Sequence, residues 1–184
     1  MGISIFLDNS NIWLVGRNVC SKREPGDEFC FRIHFQKLIE FVANGREINY
    51  AFAAGSVPPP NDSLWGWLQN RGVELKLQER GSSGKEVAVD EAVHLALLER
   101  ALDIGDKKET FVLLTGDGAG YSEGKGFIKQ LERVKRAGNG IEVVSWNEGC
   151  NKQLKKFAEE NGLYRDLESA YEKITFIENK RWAD

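Results

Sequence analysis

The run Phe111-Val-Leu-Leu-Thr-Gly-Asp-Gly-Ala-Gly-Tyr121 constrains the fold more than any other stretch of the chain. Four consecutive apolar residues read as a strand buried on both faces, and the glycines from Gly116 onward release the backbone and end it. A strand covered on both sides belongs to a parallel sheet with helices above and below. Ligands bind at the carboxyl edge of such sheets, and the polar group placed there is Asp117. A second strand of the same kind, Ile3-Ser-Ile-Phe-Leu7, runs directly into Asp8-Asn-Ser-Asn11. If the two strands are neighbours, Asp8 and Asp117 emerge side by side.

The rest of the chain alternates helix and strand patterns. Residues 9–18 read as a short helix or turn, and residues 19–31 as a polar, mobile surface loop. Phe35, Leu38, Ile39 and Val42 have helical spacing, with Gly45 as the stop. Residues 48–54 read as a strand, after which Pro58-Pro-Pro60 blocks regular structure. Asn61, Asp62 or Ser63 can cap a helix over 64–70, and residues 73–77 form a third strand towards an edge. A flexible loop, Gly81-Ser-Ser-Gly84, precedes an amphipathic helix over 87–102. Helices over 124–137 and 151–160 and strands over 141–146 and 174–177 complete the pattern. Strands alternating with helices imply right-handed crossovers and an α/β fold. A central, mostly parallel sheet of about five strands is expected, covered by helices on both faces.

Composition narrows the class. At 184 residues with 41% hydrophobic and 29% charged residues, the chain reads as one soluble globular domain. No apolar run has the length of a membrane span, the first strand is too short for a signal peptide, and Phe6 stands where a myristoylation signal needs Ser or Thr. The net charge of -3 argues against coating nucleic acid by bulk attraction while leaving room for a local basic path. Cys20, Cys30 and Cys150 are odd in number and form no C-x-x-C pair, which suits a reduced, cytoplasmic protein. Neither His34 nor His94 has a partner at zinc-ligand spacing, so a metal site would have to be built from oxygen.

Three carboxylates stand where chemistry is usual: Asp8 and Asp117 at strand ends and Asp90 at a helix start. Taken singly, each is a common turn former or helix cap. Taken together they repel, by about 4 kcal/mol for two unit charges ~4 Å apart at an effective dielectric of ~20. Such a cluster persists only with a shared proton or a cation, and the cation that suits carboxylates, water and phosphate is Mg2+ or Mn2+. Phosphodiester hydrolysis is the reaction such a site serves.

Four landmarks in order, Ile5-Phe-Leu-Asp-Asn-Ser-Asn11, Lys85-x-x-x-Val89-Asp90, Leu114-Thr-Gly-Asp-Gly118 and Gly140-Ile-Glu-Val-Val-Ser-Trp146, resemble those of the NYN domain, a PIN-like nuclease family that includes LabA-like bacterial proteins. The match runs from Ile3 to about Phe157. The resemblance implies a PIN-like three-layer α/β fold over 1–184, with 158–184 as a C-terminal extension packed on it. It also implies a metal-dependent ribonuclease site. Asp8 corresponds to the first-strand metal ligand, Asn11 to the asparagine that supports it, and Asp90 and Asp117 to further ligands. Many members carry a second aspartate two residues after the Gly-Asp strand end, where this chain has Ala119. Glu123 on the following turn is a candidate replacement ligand. Without one, the site holds a single metal or is impaired, and a non-catalytic module binding RNA or a protein partner is the alternative.

Other phosphate chemistry is a poor match. A Walker loop fails because Glu79 and Ala119 stand where its first glycine belongs, and no glycine fingerprint follows the first strand. An aspartyl-phosphate site would need an acid at Ser10, and a calcium loop starting at Asp117 would need an oxygen ligand at Ala119. RNA, unpaired in preference, is the expected partner, and a homo-oligomer is compatible with the chain. Lys85, Arg80 and Lys125 are candidate phosphate contacts, extended by Arg17, Lys22 and Arg23. Tyr121 is a candidate base-stacking residue, as is Trp13, and Thr115 completes the substrate-side set by bonding a ligand carboxylate. A solvated surface charge is the plain alternative for each cation unless they converge. Core packing is the better reading of Trp146, and a helix-face position that of His94.

Overall fold

The computed structural model describes residues 2–57, 66, 69–70, 72–79 and 87–183. Eight strands are found among them: β1 (Ile3–Asp8), β2 (Phe31–Ile33), β3 (Ile48–Val57), β4 (Glu74–Glu79), β5 (Thr110–Leu114), β6 (Gly140–Ser145), β7 (Leu163–Asp166) and β8 (Thr175–Ile177). The helices are α1 (Asn9–Arg23), α2 (Phe35–Ala43), α3 (Val87–Asp103), α4 (Gly126–Arg136), α5 (Lys152–Asn161) and α6 (Tyr171–Ile174). Six strands form one parallel sheet in the order β4-β3-β1-β5-β6-β7, and β2 and β8 pair antiparallel on their own. This is the three-layer, PIN-like α/β arrangement expected, with six strands in place of about five.

Alternation along β1 divides the core into two layers, because successive side chains of a strand point to opposite faces. Ile3, Ile5 and Leu7 face one cluster, with Ile12, Val19 and Cys20 of α1 and Leu38 and Val42 of α2. Phe6 faces the other, with Val89, Val93 and Leu97 of α3, Phe127 and Leu131 of α4, and Leu154 of α5. Two buried glutamates tie the layers at their margins. Glu142, 1% exposed, takes Arg46 at 2.7 Å and Arg165 at 3.0 Å. Glu109 accepts from Ser4, Asn49 and Arg100.

The sheet departs from the expected pattern mainly near its partners in the smaller one. The surface loop expected over 19–31 is helix up to Arg23, and Val19 and Cys20 are buried. Ile12, Gly16, Val19 and Cys20 form a stripe at helical spacing, which the polar residues flanking Val19 and Cys20 conceal in the sequence. Phe31, expected in that loop, is wholly buried in β2. The last strand, expected over 174–177, pairs with β2, and β7 extends the main sheet beyond the expected number. Helix α2 ends on Asn44 in the left-handed region, one residue before the expected glycine stop. The expected proline-run turn, the helix over 64–70 and the loop Gly81-Ser-Ser-Gly84 lie largely outside the described residues.

Candidate functional site

The parallel pairing of β1 with β5 puts Leu7 beside Leu114, so the chain leaves both strands at the same edge. Asp8 ends β1 and caps α1: its Oδ1 accepts from the Asn11 amide at 3.0 Å. A carboxylate suits that place, since the unpaired amides and dipole of a helix start favour negative charge. Asp8 is only 2% exposed, and a buried carboxylate needs donors. Its Oδ2 takes one from Thr115, whose hydroxyl donates at 2.9 Å. The same Thr115 oxygen accepts the Asp117 amide at 3.2 Å. Thr115 thus links the first acidic strand end to the second.

The turn carrying Asp117 is held from three sides. Gly116 donates to Asn11 Oδ1 at 2.7 Å, and its carbonyl accepts from the Asn151 amide at 2.8 Å. A side chain at Gly116 would have its Cβ 2.9 Å from Ser145 Oγ and 3.0 Å from the Gly149 carbonyl, so only hydrogen fits between the strand end and the β6–α5 connection. Asp117 itself is half-buried, and its Oδ1 accepts from the Ala119 amide at 2.9 Å.

Asp90 lies in the first turn of α3, half-buried, one helical turn before His94. His94 feels the charges of Asp117 and Glu91, so α3 presents this turn towards the Asp117 side of the edge. Burial drives the imidazole below its ordinary pKa against the pull of both carboxylates. Its Nε2 is buried without a hydrogen-bond partner among the described residues, and its ring packs edge-on against Phe127 at 4.3 Å. The ring is therefore neutral at pH 7.

The other expected site residues are placed as follows. Thr115 is wholly buried, and its hydroxyl bonds the Asp8 carboxylate, as expected of it. Asn11 supports Asp8 through its backbone amide, while its side chain grips Gly116. Tyr121 turns its hydroxyl to Glu132 at 3.0 Å and receives Lys129 over its ring at 4.9 Å, which ties it to α4. Glu123 and Lys125 are exposed on the turn leading into α4. Trp146 is core, donating its indole N–H to the Ile12 carbonyl at 2.7 Å. Lys85 and Arg80 lie outside the described residues.

Sequence reasoning passed over Ser145, Gly149 and Asn151, which carry no chemistry-like signal and matter only because β6 lies beside β5. It also passed over Asn9, whose side-chain oxygen is buried without a hydrogen-bond partner among the described residues. Its position directly after Asp8 was the available signal.

Among the described residues no group of three or more His, Cys, Asp and Glu side chains comes together as a cation site. An all-protein cage is not what Mg2+ ordinarily takes, since one or two carboxylates with water and substrate phosphate are enough. That smaller requirement fits the donors at this edge. They are all oxygen, and the second Asp117 carboxylate oxygen accepts no hydrogen bond among the described residues.

Comparison with known proteins shows the family and the fold. The sequence model of the NYN domain matches residues 2–161. A crystal structure of a protein of unknown function from Vibrio parahaemolyticus superposes with a TM-score of 0.61 at 16% identity, over 90% of this chain and 92% of that one. Likeness at that identity concerns the fold alone. No curated protein matches the chain.

Proposed function

Since the chain belongs to the NYN domain family, a family of PIN-like nucleases, we propose that it hydrolyses phosphodiester bonds of RNA, unpaired RNA in preference, at the edge bearing Asp8, Asp90 and Asp117. The observation that carries this reading is the Thr115 bridge, which holds one acidic strand end against the other across two adjacent parallel strands. A Mg2+ or Mn2+ ion held by Asp117 and its acidic neighbours would offset the charge of the phosphate and lower the pKa of water. Asp8, held by the Asn11 amide and the Thr115 hydroxyl, is the carboxylate nearest in sequence to the strand end and a further oxygen donor for the cation. Glu123 is close enough in sequence to serve as a further ligand, and Lys125, exposed at the start of α4, is a phosphate contact with Lys85 and Arg80. Residues 1–184 act as one domain in this reading, with 158–184 packed on it. Cys20, Cys30 and Cys150 are all free thiols, which suits the cytoplasm.

A non-catalytic RNA-binding module is the second reading, favoured by Ala119 in place of a second aspartate and by the lack of a three-ligand group among the described residues. Incubating labelled single-stranded RNA with the protein in Mg2+ or Mn2+, with and without chelator, separates the two. Metal-dependent cleavage abolished by Asp117→Asn supports the nuclease. Binding without cleavage in any metal supports the module.

A further inference from the structure

We propose that Trp13, Arg17 and Phe29 form a second subsite for single-stranded RNA on the half-exposed flank of α1, taking nucleotides that lead away from the acidic edge. This rests on the RNA reading above and names where the strand runs. The Arg17 guanidinium lies 5.4 Å from the centroid of the Trp13 ring and 5.6 Å from that of Phe29, so one planar cation lies over both aromatic rings.

Three observations point outward from this stack. Phe29 is 74% exposed, a costly position for a large apolar ring that closes no part of the core. The backbone that carries the ring is nonetheless held in place: the Phe29 carbonyl accepts from Arg32 at 3.1 Å, and the carbonyl of neighbouring Cys30 accepts from the Glu178 amide at 3.0 Å. Arg17 makes no ion pair among the described residues, whereas Lys22 on the same helix is paired with Glu148 and Arg32 with Glu178. On a chain of net charge -3 an uncompensated guanidinium over aromatic rings is a local exception.

The chemistry that uses all three features is an anionic backbone with flat bases. The guanidinium takes a phosphate, and a base stacks on the open face of Phe29. Only unpaired bases can do so, because those of a duplex are already stacked on one another. Placement agrees. Helix α1 starts at the edge beside Asp8, so Trp13 and Arg17 lie about 6 and 12 Å along it at 1.5 Å per residue. Twelve ångströms spans roughly three to four stacked nucleotides at ~3.4 Å each.

The test is fluorescence anisotropy with an end-labelled, unstructured RNA oligonucleotide and a duplex of the same length, in chelator so that nothing is cut. Phe29→Ala and Arg17→Ala change exposed or partly exposed groups, and unchanged thermal melting checks that each variant is folded. Loss of one stacked base predicts a roughly 5- to 150-fold weaker single-strand affinity for Phe29→Ala, with duplex affinity unchanged. Arg17→Ala should lower the slope of log affinity against log salt by about one phosphate contact. Wild-type affinity in folded variants overturns the proposal, as does a protein partner lost on Phe29→Ala while RNA binding stays intact. Wild-type protein that binds RNA through this stack yet never cuts it leaves the subsite standing and removes the nuclease reading. Protein that binds no RNA removes both.

Discussion

Replacing Thr115 by Val takes away one hydroxyl while nearly keeping the side-chain shape, at a position with no exposed surface. Two hydrogen bonds go with it: one donated to Asp8 Oδ2 at 2.9 Å and one accepted from the Asp117 amide at 3.2 Å. A hydrogen bond to a charged group contributes about 1.5–3 kcal/mol, and Asp8 is too buried for water to substitute fully. The Asp117 amide belongs to a half-buried residue and recovers part of its loss. The extra buried methyl offsets about 0.8 kcal/mol. A net loss of about 1–2 kcal/mol follows, or a fall in Tm of roughly 2–8 °C for a domain of this size. Thr115→Ser keeps the hydroxyl and loses a methyl, which costs about 1 kcal/mol through the small void it leaves. Calorimetry of both variants, repeated in an Asp8→Ala background, isolates the bridge. With its acceptor gone the cost of Val should shrink, and cleavage should fall at least tenfold in Thr115→Val but not in Thr115→Ser. A Val variant as stable as wild type, or one with the same cost in both backgrounds, refutes the claim that this hydroxyl couples the two strand ends.

Three further outcomes follow from the same geometry. Glu142→Gln leaves Arg46 and Arg165 facing a neutral group, and because both arginines retain some contact with water the loss should be about 2 kcal/mol, below the ~3–5 kcal/mol of a fully buried pair, read as a lower urea midpoint. Glu109 is pushed up by burial but pulled further down by Ser4, Asn49 and Arg100, so its pKa lies below the ordinary 4.5. A depressed carboxyl contributes stability that is full above its unfolded value and is lost as pH falls through the folded one. Urea midpoints should therefore drop below pH 4.5 in wild type and fall less steeply in Glu109→Gln. Ala119→Asp adds a carboxylate at an exposed position on the turn whose amide already bonds Asp117. Titration calorimetry should show tighter Mn2+ binding, by about tenfold for ~1.4 kcal/mol, and unchanged affinity would place residue 119 away from the ion.

Much of the architecture was legible because it is written in local periodicity. The all-apolar run before Thr115 and the short strand before Asp8 each announce burial on both faces, and that requires a parallel sheet under helices. The neighbourhood of Asp8 and Asp117 followed once those strands were taken as adjacent. β2 and β7 were missed because three- and four-residue strands are too short for a pattern, while β8 was expected without a partner. What holds β2 in place is Ile177 opposite Phe31, a contact the intervening sequence does not signal. The helical continuation through Val19 and Cys20 was hidden for a related reason: these two are the apolar residues of an otherwise polar stretch from Arg17 to Arg23.

The sequence by itself determined the layer order, the acidic strand ends and the oxygen-only chemistry available there, since each depends on residue type and near-neighbour spacing. Tertiary structure alone decided which atoms serve which purpose. It buried Thr115 against Asp8, gave the Asn11 side chain to Gly116, tied Tyr121 to Glu132 and set Arg17 over two rings. Those assignments arise where strands distant in sequence pack side by side, because hydrogen bonds and desolvation act through distances in space that residue order does not encode.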